Sequence, residues 1–287
     1  MTRTKLVTMC LVAALACGVA AAQGRISMTK LTAGDVYCSG MVTREAVPYD
    51  TYLISGEQSY YQTVYAQGDY VFINKGSSSG VKVGDQFDVL RPDDKPKGLK
   101  WYEYQTNQYR AMGRQWLDLG RIVVEHVQAN VSVAKVAFSC DYLQRGDYVR
   151  PHAERVMPDV KPYDGNRFPA ASGKAQAQVV TAKNFALLSG ANNVVYVNMG
   201  SAQGVKAGDY IRIFRYQGTR HDTAYQLFWT QFRMWGFGRT PVAYQWSDLP
   251  RELLGEGVVL RVTENAATVM ITYSLKDIYP GDYVEVQ

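Results

Sequence analysis

Histidine is scarce in this chain. Its three copies, His126, His152 and His221, have no metal-site spacing relative to the cysteines. A tetrahedral zinc site draws about four closely spaced ligands, so no metal and no cofactor is expected. Cysteine is scarce too: of four, only Cys38 and Cys140 lie beyond residue 22. Beyond that point no segment approaches the about 20 apolar residues that cross a bilayer as a helix. Nor does one sign of charge dominate. The 31 basic and 26 acidic residues give a formal net charge of +5 and are interspersed, without the basic stripe of a nucleic-acid binder. No Ser, His and Asp stand in a recognisable nucleophile context, so catalytic residues are expected to be absent and the chain reads as non-enzymatic.

The N-terminus carries Arg3 and Lys5, an uncharged apolar stretch over residues 6–17, then Ala20, Ala21 and Ala22 before Gln23. This is the order of a secretory signal peptide, and it predicts export with cleavage after Ala22. A rival cut would leave Cys17 as a lipidated N-terminus, but Ala14 stands where lipoprotein signals carry Leu. Loss of Arg3 and Lys5 takes two from the formal charge and leaves it mildly positive.

The dominant positive feature is an internal repeat. Asn74, Gly76, Gly80, Val81, Gly84 and Asp85 return in the same spacing as Asn198, Gly200, Gly204, Val205, Gly208 and Asp209. Further on, Gly120 to Val149 reads onto Gly255 to Val284, ending in Gly146-Asp147-Tyr148-Val149 and Gly281-Asp282-Tyr283-Val284. The unit is far longer than a solenoid repeat, so each copy is expected to form its own small domain. Cys38 and Cys140 lie at the start and end of the first copy, and the matching second-copy positions lack cysteine. They are present together and absent together, which predicts a disulfide, with two buried thiols as the alternative. Closing a loop of about 100 residues would contribute up to ~4–5 kcal/mol.

The glycine-rich string does not read as a phosphate loop. Such a loop leads into a helix, whereas Asp85 and Asp209 lead into alternating strands, Gln86-Phe87-Asp88-Val89-Leu90 and Tyr210-Ile211-Arg212-Ile213-Phe214. Gly76, Gly80, Gly84, Asp85, Gly200, Gly204, Gly208 and Asp209 are therefore read as structural turns. Each copy is expected to open with a strand, residues 40–43 matched to 178–181, followed by a Ser-Gly turn, residues 52–56 matched to 186–190. With six or seven short strands per copy and no long amphipathic helix, the prediction is all-β: two tandem small β-barrels, SH3-like or related, each with an aromatic-rich insert. The boundaries are 1–22 signal peptide, 23–35 lead, 36–151 first repeat, 152–174 Pro- and Gly-containing linker and 175–287 second repeat. The linker is read as a semi-extended tether.

The order of elements (strand, Asn-x-Gly-x-x-x-Gly-Val-x-x-Gly-Asp, strand ending in Arg91 or Arg215, insert, Gly-Asp-Tyr-Val) resembles the C-terminal domain of flagellar assembly protein T. It is also similar to related modules of bacterial envelope proteins, some of which carry peptidoglycan-binding LysM domains. The resemblance covers most of both copies and implies a periplasmic or envelope-associated binding or scaffold module, with no catalytic residues attached.

All five tryptophans fall in the inserts. Trp101, Tyr102, Tyr104, Phe228, Trp229, Phe232, Trp235 and Phe237 are the candidate aromatic binding surface, since interfaces favour Trp, Tyr and Arg. Phe228, Phe232 and Trp235 fit one face of a helix over residues 224–235 or an arm contacting another chain. Internal packing is the alternative, above all for Trp116 and Trp246, which both copies place in Gln-Trp-x-Asp-Leu and which could plug the barrel mouths. The expected partner is an envelope protein. The second hypothesis is a glycan, peptidoglycan or exopolysaccharide, and no nucleic acid is expected.

Overall fold

A computed structural model describes residues 28, 30–94, 99–217 and 249–287. The N-terminal half contains helix α1 (Ala33–Tyr37), strands β1 (Met41–Thr43), β2 (Leu53–Gly56), β3 (Val64–Tyr65), β4 (Tyr70–Ile73) and β5 (Gln86–Asp93), helix α2 (Gln105–Met112), then β6 (Arg114–Val127), β7 (Ser132–Ser139), β8 (Leu143–Gln144) and β9 (Tyr148–Pro151). The C-terminal half contains β10 (Gln176–Ala182), β11 (Val194–Val197), β12 (Tyr210–Arg215), β13 (Glu252–Val262), β14 (Ala267–Ser274) and β15 (Tyr283–Val286). In the second half the strands close into a barrel in the order β10-β11-β14-β13-β12-β15. The first half repeats that order as β2-β4-β7-β6-β5-β9, with β1 added beside β6. Its two ends meet at a single bridge between Tyr52 and Tyr148, where the second half has a three-residue ladder.

The repeated turn has the same hydrogen bonds in both halves. Asn74 Oδ1 accepts from Tyr52 N–H at 2.7 Å, and Asn198 Oδ1 accepts from Gln178 N–H at 2.7 Å. Asp85 and Asp209 each cap the turn from within, accepting from Lys82 and Lys206 N–H at 2.8 Å. Gly76 and Gly200 are fixed by a close approach: a Cβ at either would lie 2.2 Å from the carbonyl oxygen of Gln128 or Thr263. Gly80, Gly84, Gly204 and Gly208 all have φ between 79° and 93°, where a side chain is strained. We therefore expect Gly200→Ala to cost about 1–3 kcal/mol, read as a lower urea midpoint, while an exposed control such as Ala202→Ser leaves it unchanged.

Each copy ends in a second repeated lock. Arg91 holds Asp147 through two bonds of 2.7 and 2.8 Å, and Arg215 holds Asp282 through two of 2.7 Å. Burial pushes the Asp282 carboxyl up to about 6 against the pull of Arg215. These aspartates recur because they tie the final turn to β5 or β12.

The start of the repeat is in a different place from the sequence reading. Because Tyr52 and Gln178 meet equivalent asparagines, residues 52–56 correspond to the run from Gln178 to Ala182 in β10, and not to 186–190. The Ser-Gly similarity was coincidental: Ser189 matches Tyr65, each bridging the equivalent position, Ile278 or Leu143. Within residues 40–43, matched above to 178–181, Met41–Thr43 form β1, which lies outside the repeat and pairs with β6.

Burial explains why the halves read so differently along equivalent strands. In β7 buried and half-buried residues alternate from Ser132 to Val136, since one face lines the interior and the other meets solvent. In β14 every residue from Ala267 to Tyr273 is buried. Its interior face joins a core with Val195, Ile213 and Val259, while its outer face packs under the first half. That second layer joins Leu31, Val36, Val42, Leu99, Tyr109 and Met112 to Val180, Phe185, Val194, Tyr196, Val258 and Met270. The two halves thus share a continuous apolar junction.

Residues 152–174 form no helix or strand, as a Pro- and Gly-containing segment should, yet they are strapped down. Arg155 holds Asp118 with two bonds of 2.8 Å, His152 Nδ1 lies 2.6 Å from Asp88, and Tyr163 stacks on Tyr273 at 4.2 Å. The semi-extended tether is a docked strap, because its charged and aromatic side chains find buried partners.

Candidate functional site

The first insert turns inward. Tyr102 is 1% exposed, and its hydroxyl donates to Gln108 Oε1 at 2.5 Å. Trp101 is half-buried and packs against the junction. Helix α2 reaches across to β10, where Gln105 Nε2 donates to the Val180 carbonyl at 2.9 Å and Gln108 Nε2 to Gln178 Oε1 at 2.6 Å. Tyr102 is therefore corrected from partner surface to internal packing, the alternative left open above, while Trp101 is half-buried against the layer shared with the other repeat. Tyr104 is 65% exposed. Phe228, Trp229, Phe232, Trp235, Phe237 and the 224–235 helix, with Trp246 and residues 1–22, lie outside the described residues.

Trp116 is buried, though it plugs no barrel mouth. It lies in a small cluster under β1 with Met41, Leu90 and Tyr148, separate from the interior core of the first sheet. The cluster continues outward as a string of rings. Trp116 meets Tyr148 edge-on at 4.9 Å, Tyr148 meets Tyr49 at 4.4 Å, and Tyr49 stacks on Tyr52 at 5.1 Å. Tyr49 is half exposed.

Beside this string lies a cleft of about 430 Å³. Arg44 and Glu45 approach from the end of β1, Arg110 from the last turn of α2, and Arg114 and Trp116 from β6. Gly113 lets α2 turn sharply into β6: its φ is 115°, and a Cβ there would lie 2.1 Å from the Thr43 carbonyl oxygen. Arg114 pairs with Asp94 at 2.7 Å and lies over the Trp116 ring at 5.5 Å. Arg44 and Arg110 make no ion pair among the described residues. A cationic cleft walled by aromatic faces can take a carboxylate-bearing, flat or apolar group.

Sequence reasoning missed Arg44, Tyr49 and Arg110. Met112-Gly113-Arg114 has a counterpart in Phe237-Gly238-Arg239, but nothing in either string says that β1, outside the repeat, packs beside the first. Tyr60 and Tyr61, at 96% and 92% exposure, form a second exposed pair on the loop between β2 and β3.

The predicted disulfide is present, joining Cys38 to Cys140 with Cα atoms 5.4 Å apart. Asp85, Asp147, Asp209 and Asp282 are engaged by backbone amides or arginine, as above. Among the described residues no group of three or more His, Cys, Asp and Glu is placed to hold a metal ion. No helix among them is long and apolar enough to cross a membrane.

Buried charge gathers where the strap crosses β6. Burial pushes the Asp118 carboxyl up, but the hydrogen bonds and charge of Arg155, with Arg261 and Arg150, outweigh it and hold the group below the usual carboxylate range. Arg261, from the second half, lies 3.7 Å from Asp118 and is pushed down to about 10, first by burial. Gly40 N–H also donates to Asp118 at 2.9 Å. This cluster joins strap, first sheet and second barrel. Set beside known proteins, the chain matches no family model and no curated protein sequence.

Proposed function

We propose that this chain is an exported, non-enzymatic interaction or scaffold module of the bacterial cell envelope, built from two tandem SH3-like barrels, that binds a protein partner. The resemblance to the C-terminal domain of flagellar assembly protein T supplies the compartment, and the Cys38–Cys140 disulfide agrees with an oxidising one. The observation that carries partner binding is the arginine-lined cleft beside the Trp116–Tyr148–Tyr49 string. Tyr49 offers a half-exposed ring there, and Arg44 and Arg110 make no ion pair among the described residues; Tyr and Arg are among the side chains that dominate binding energy at protein interfaces. The partner it fits is an acidic segment flanked by apolar residues. The non-enzymatic reading rests on the repeated aspartates, whose carboxylates are engaged in turns and arginine locks.

The test is retention on immobilised chain, beginning at Gln23, of solubilised envelope proteins and, separately, of protein-free cell wall. Expected is salt-sensitive protein capture that Arg44→Glu and Arg110→Glu together reduce at least ~10-fold, as loss of interface arginines does. Saturable retention of the protein-free wall, abolished by Tyr49→Ala, would establish the glycan alternative instead. No retention of either material would sink both readings.

A further inference from the structure

We infer that the seam of the first sheet, where its start meets β9, binds a small zwitterion with an apolar body, of the class of a free α-amino acid such as leucine or phenylalanine. A pocket of about 380 Å³ opens there, within the size range of small-molecule sites. Its floor is apolar, made by Val81, Phe87 and Val149 from the interior core of the first sheet. At its rim Lys75 Nζ donates to Asp50 Oδ2.

The second barrel fills the equivalent space. Lys75 stands between Asn74 and Gly76 as Met199 stands between Asn198 and Gly200. Pro151 pairs with Phe87 as Val286 pairs with Ile211. Met199 is buried in the second core with Val205, Ile211 and Val284, the counterparts of the three floor residues, and Val286 packs against the same core. In the first half a lysine and a proline replace these two apolar plugs. Val81 and Phe87 are correspondingly less deeply buried than Val205 and Ile211.

The proline also opens the seam. In the second barrel Val286 N–H donates to the Ala175 carbonyl at 3.2 Å, which extends the ladder of β10 and β15 past Gln176 and Glu285. Pro151 has no N–H to donate. The first seam holds at Val149, whose N–H donates to the Thr51 carbonyl at 2.9 Å, and the chain through Asp50 and Pro48 then forms the opposite wall of the pocket.

Charge complementarity selects the occupant. Arg150 and Asp85 also line the pocket, but Arg150 lies 3.5 Å from Asp88, and Asp85 accepts from Lys82 N–H in its own turn at 2.8 Å. The rim is left with one cation and one anion, Lys75 and Asp50, and the Asp50 side chain is 64% exposed. A lone carboxylate must take Lys75 from Asp50, and a lone amine must take Asp50 from Lys75, so either leaves one charge without its partner. A zwitterion pairs with both, while its side chain covers the floor. The pocket shares no lining residue with the arginine cleft, and the partner reading does not depend on it.

Saturation-transfer NMR of the chain from Gln23 with L-leucine and with L-phenylalanine tests this. Saturable binding is expected with a Kd between about 10 µM and 1 mM, as suits a ligand of this size. N-acetyl-leucine, which lacks the ammonium, and leucinamide, which lacks the carboxylate, should each bind at least ~10-fold more weakly. Lys75→Met, which supplies the plug of the second barrel, should abolish binding while the melting transition stays in place. Asp50→Asn should reverse the order of leucine and N-acetyl-leucine, because Lys75 then has no internal carboxylate to compete for it, and a merely structural role for Asp50 would not change that order. No saturation transfer from either amino acid up to ~10 mM, N-acetyl-leucine binding as tightly as leucine to the wild type, or an unchanged order in Asp50→Asn overturns the proposal. If Lys75→Met does not fold, Asp50→Asn carries the test.

Discussion

Reduction of the Cys38–Cys140 disulfide lowers the melting temperature by roughly 5–15 °C, in a single transition that carries both halves of the molecule down together. The bond closes a loop with a sequence separation of 102. Removing such a bond typically costs about 2–5 kcal/mol, because the unfolded chain regains the entropy the cross-link had removed. Read from the sequence, the loss should stay within the first repeat. The structure moves it to the junction, since Cys38 directly follows α1, whose Val36 is part of the shared layer. The Cys38 carbonyl accepts from Lys183 Nζ at 2.8 Å, and the neighbouring Ser39 carbonyl accepts from the Tyr196 hydroxyl at 2.9 Å. Loosening this segment loosens the cover of the second barrel. Calorimetry with and without reductant checks it, and two separated transitions of which only the first moves would contradict a shared junction.

Asp118→Ala is the single substitution expected to destabilise most, by about 3–5 kcal/mol, because it leaves buried cations without their anion. The Arg155 side chain is only 10% exposed and loses both its bonds to Asp118, while Arg261 loses its nearest carboxylate. Asp118→Asn separates charge from shape, since an amide oxygen can still accept from Gly40 N–H. The pH dependence follows from the depressed pKa of this group. Its folded value lies below the unfolded value of about 3.9, so its stabilisation is fully present above that and is lost as pH falls through the folded value. Wild type and Asp118→Asn should therefore differ widely in urea midpoint at pH 7 and converge below about pH 4. A gap that persists undiminished at pH 3 would show that the carboxylate charge is not what the cluster uses.

Much of the local structure was legible in the sequence, because it is dictated locally. The Asn-Gly-Gly-Gly-Asp string returns with the same hydrogen bonds in both halves, since a tight backbone approach and positive φ admit few residues other than glycine. The cysteine pair was legible for a similar reason: the repeat acts as its own control, showing two residues gained together. The start of the repeat was not legible. Residues 52–56 and 186–190 share Leu and Ser-Gly by chance, whereas the real equivalence depends on which backbone amide each asparagine reaches, a contact distant in sequence.

The inserts mark the same limit. Trp101 and Tyr102 look like a binding surface for the reason that makes them good packing residues: large rings lower free energy wherever they are removed from water, and composition does not say what removes them. The arginine cleft was hidden because Arg44 and Arg110 lie far apart in the chain and meet only where β1 pairs with β6. The sequence by itself determined the duplication, the strands, the turn chemistry and the paired cysteines, all of which rest on short-range sterics and on comparing one half with the other. Only the tertiary structure decided that the halves share a junction, that the linker is a strap, and that the outer face of the second barrel is covered by the first half. Those outcomes depend on contacts between residues distant in sequence, where burial and charge compete across elements that no local pattern brings together.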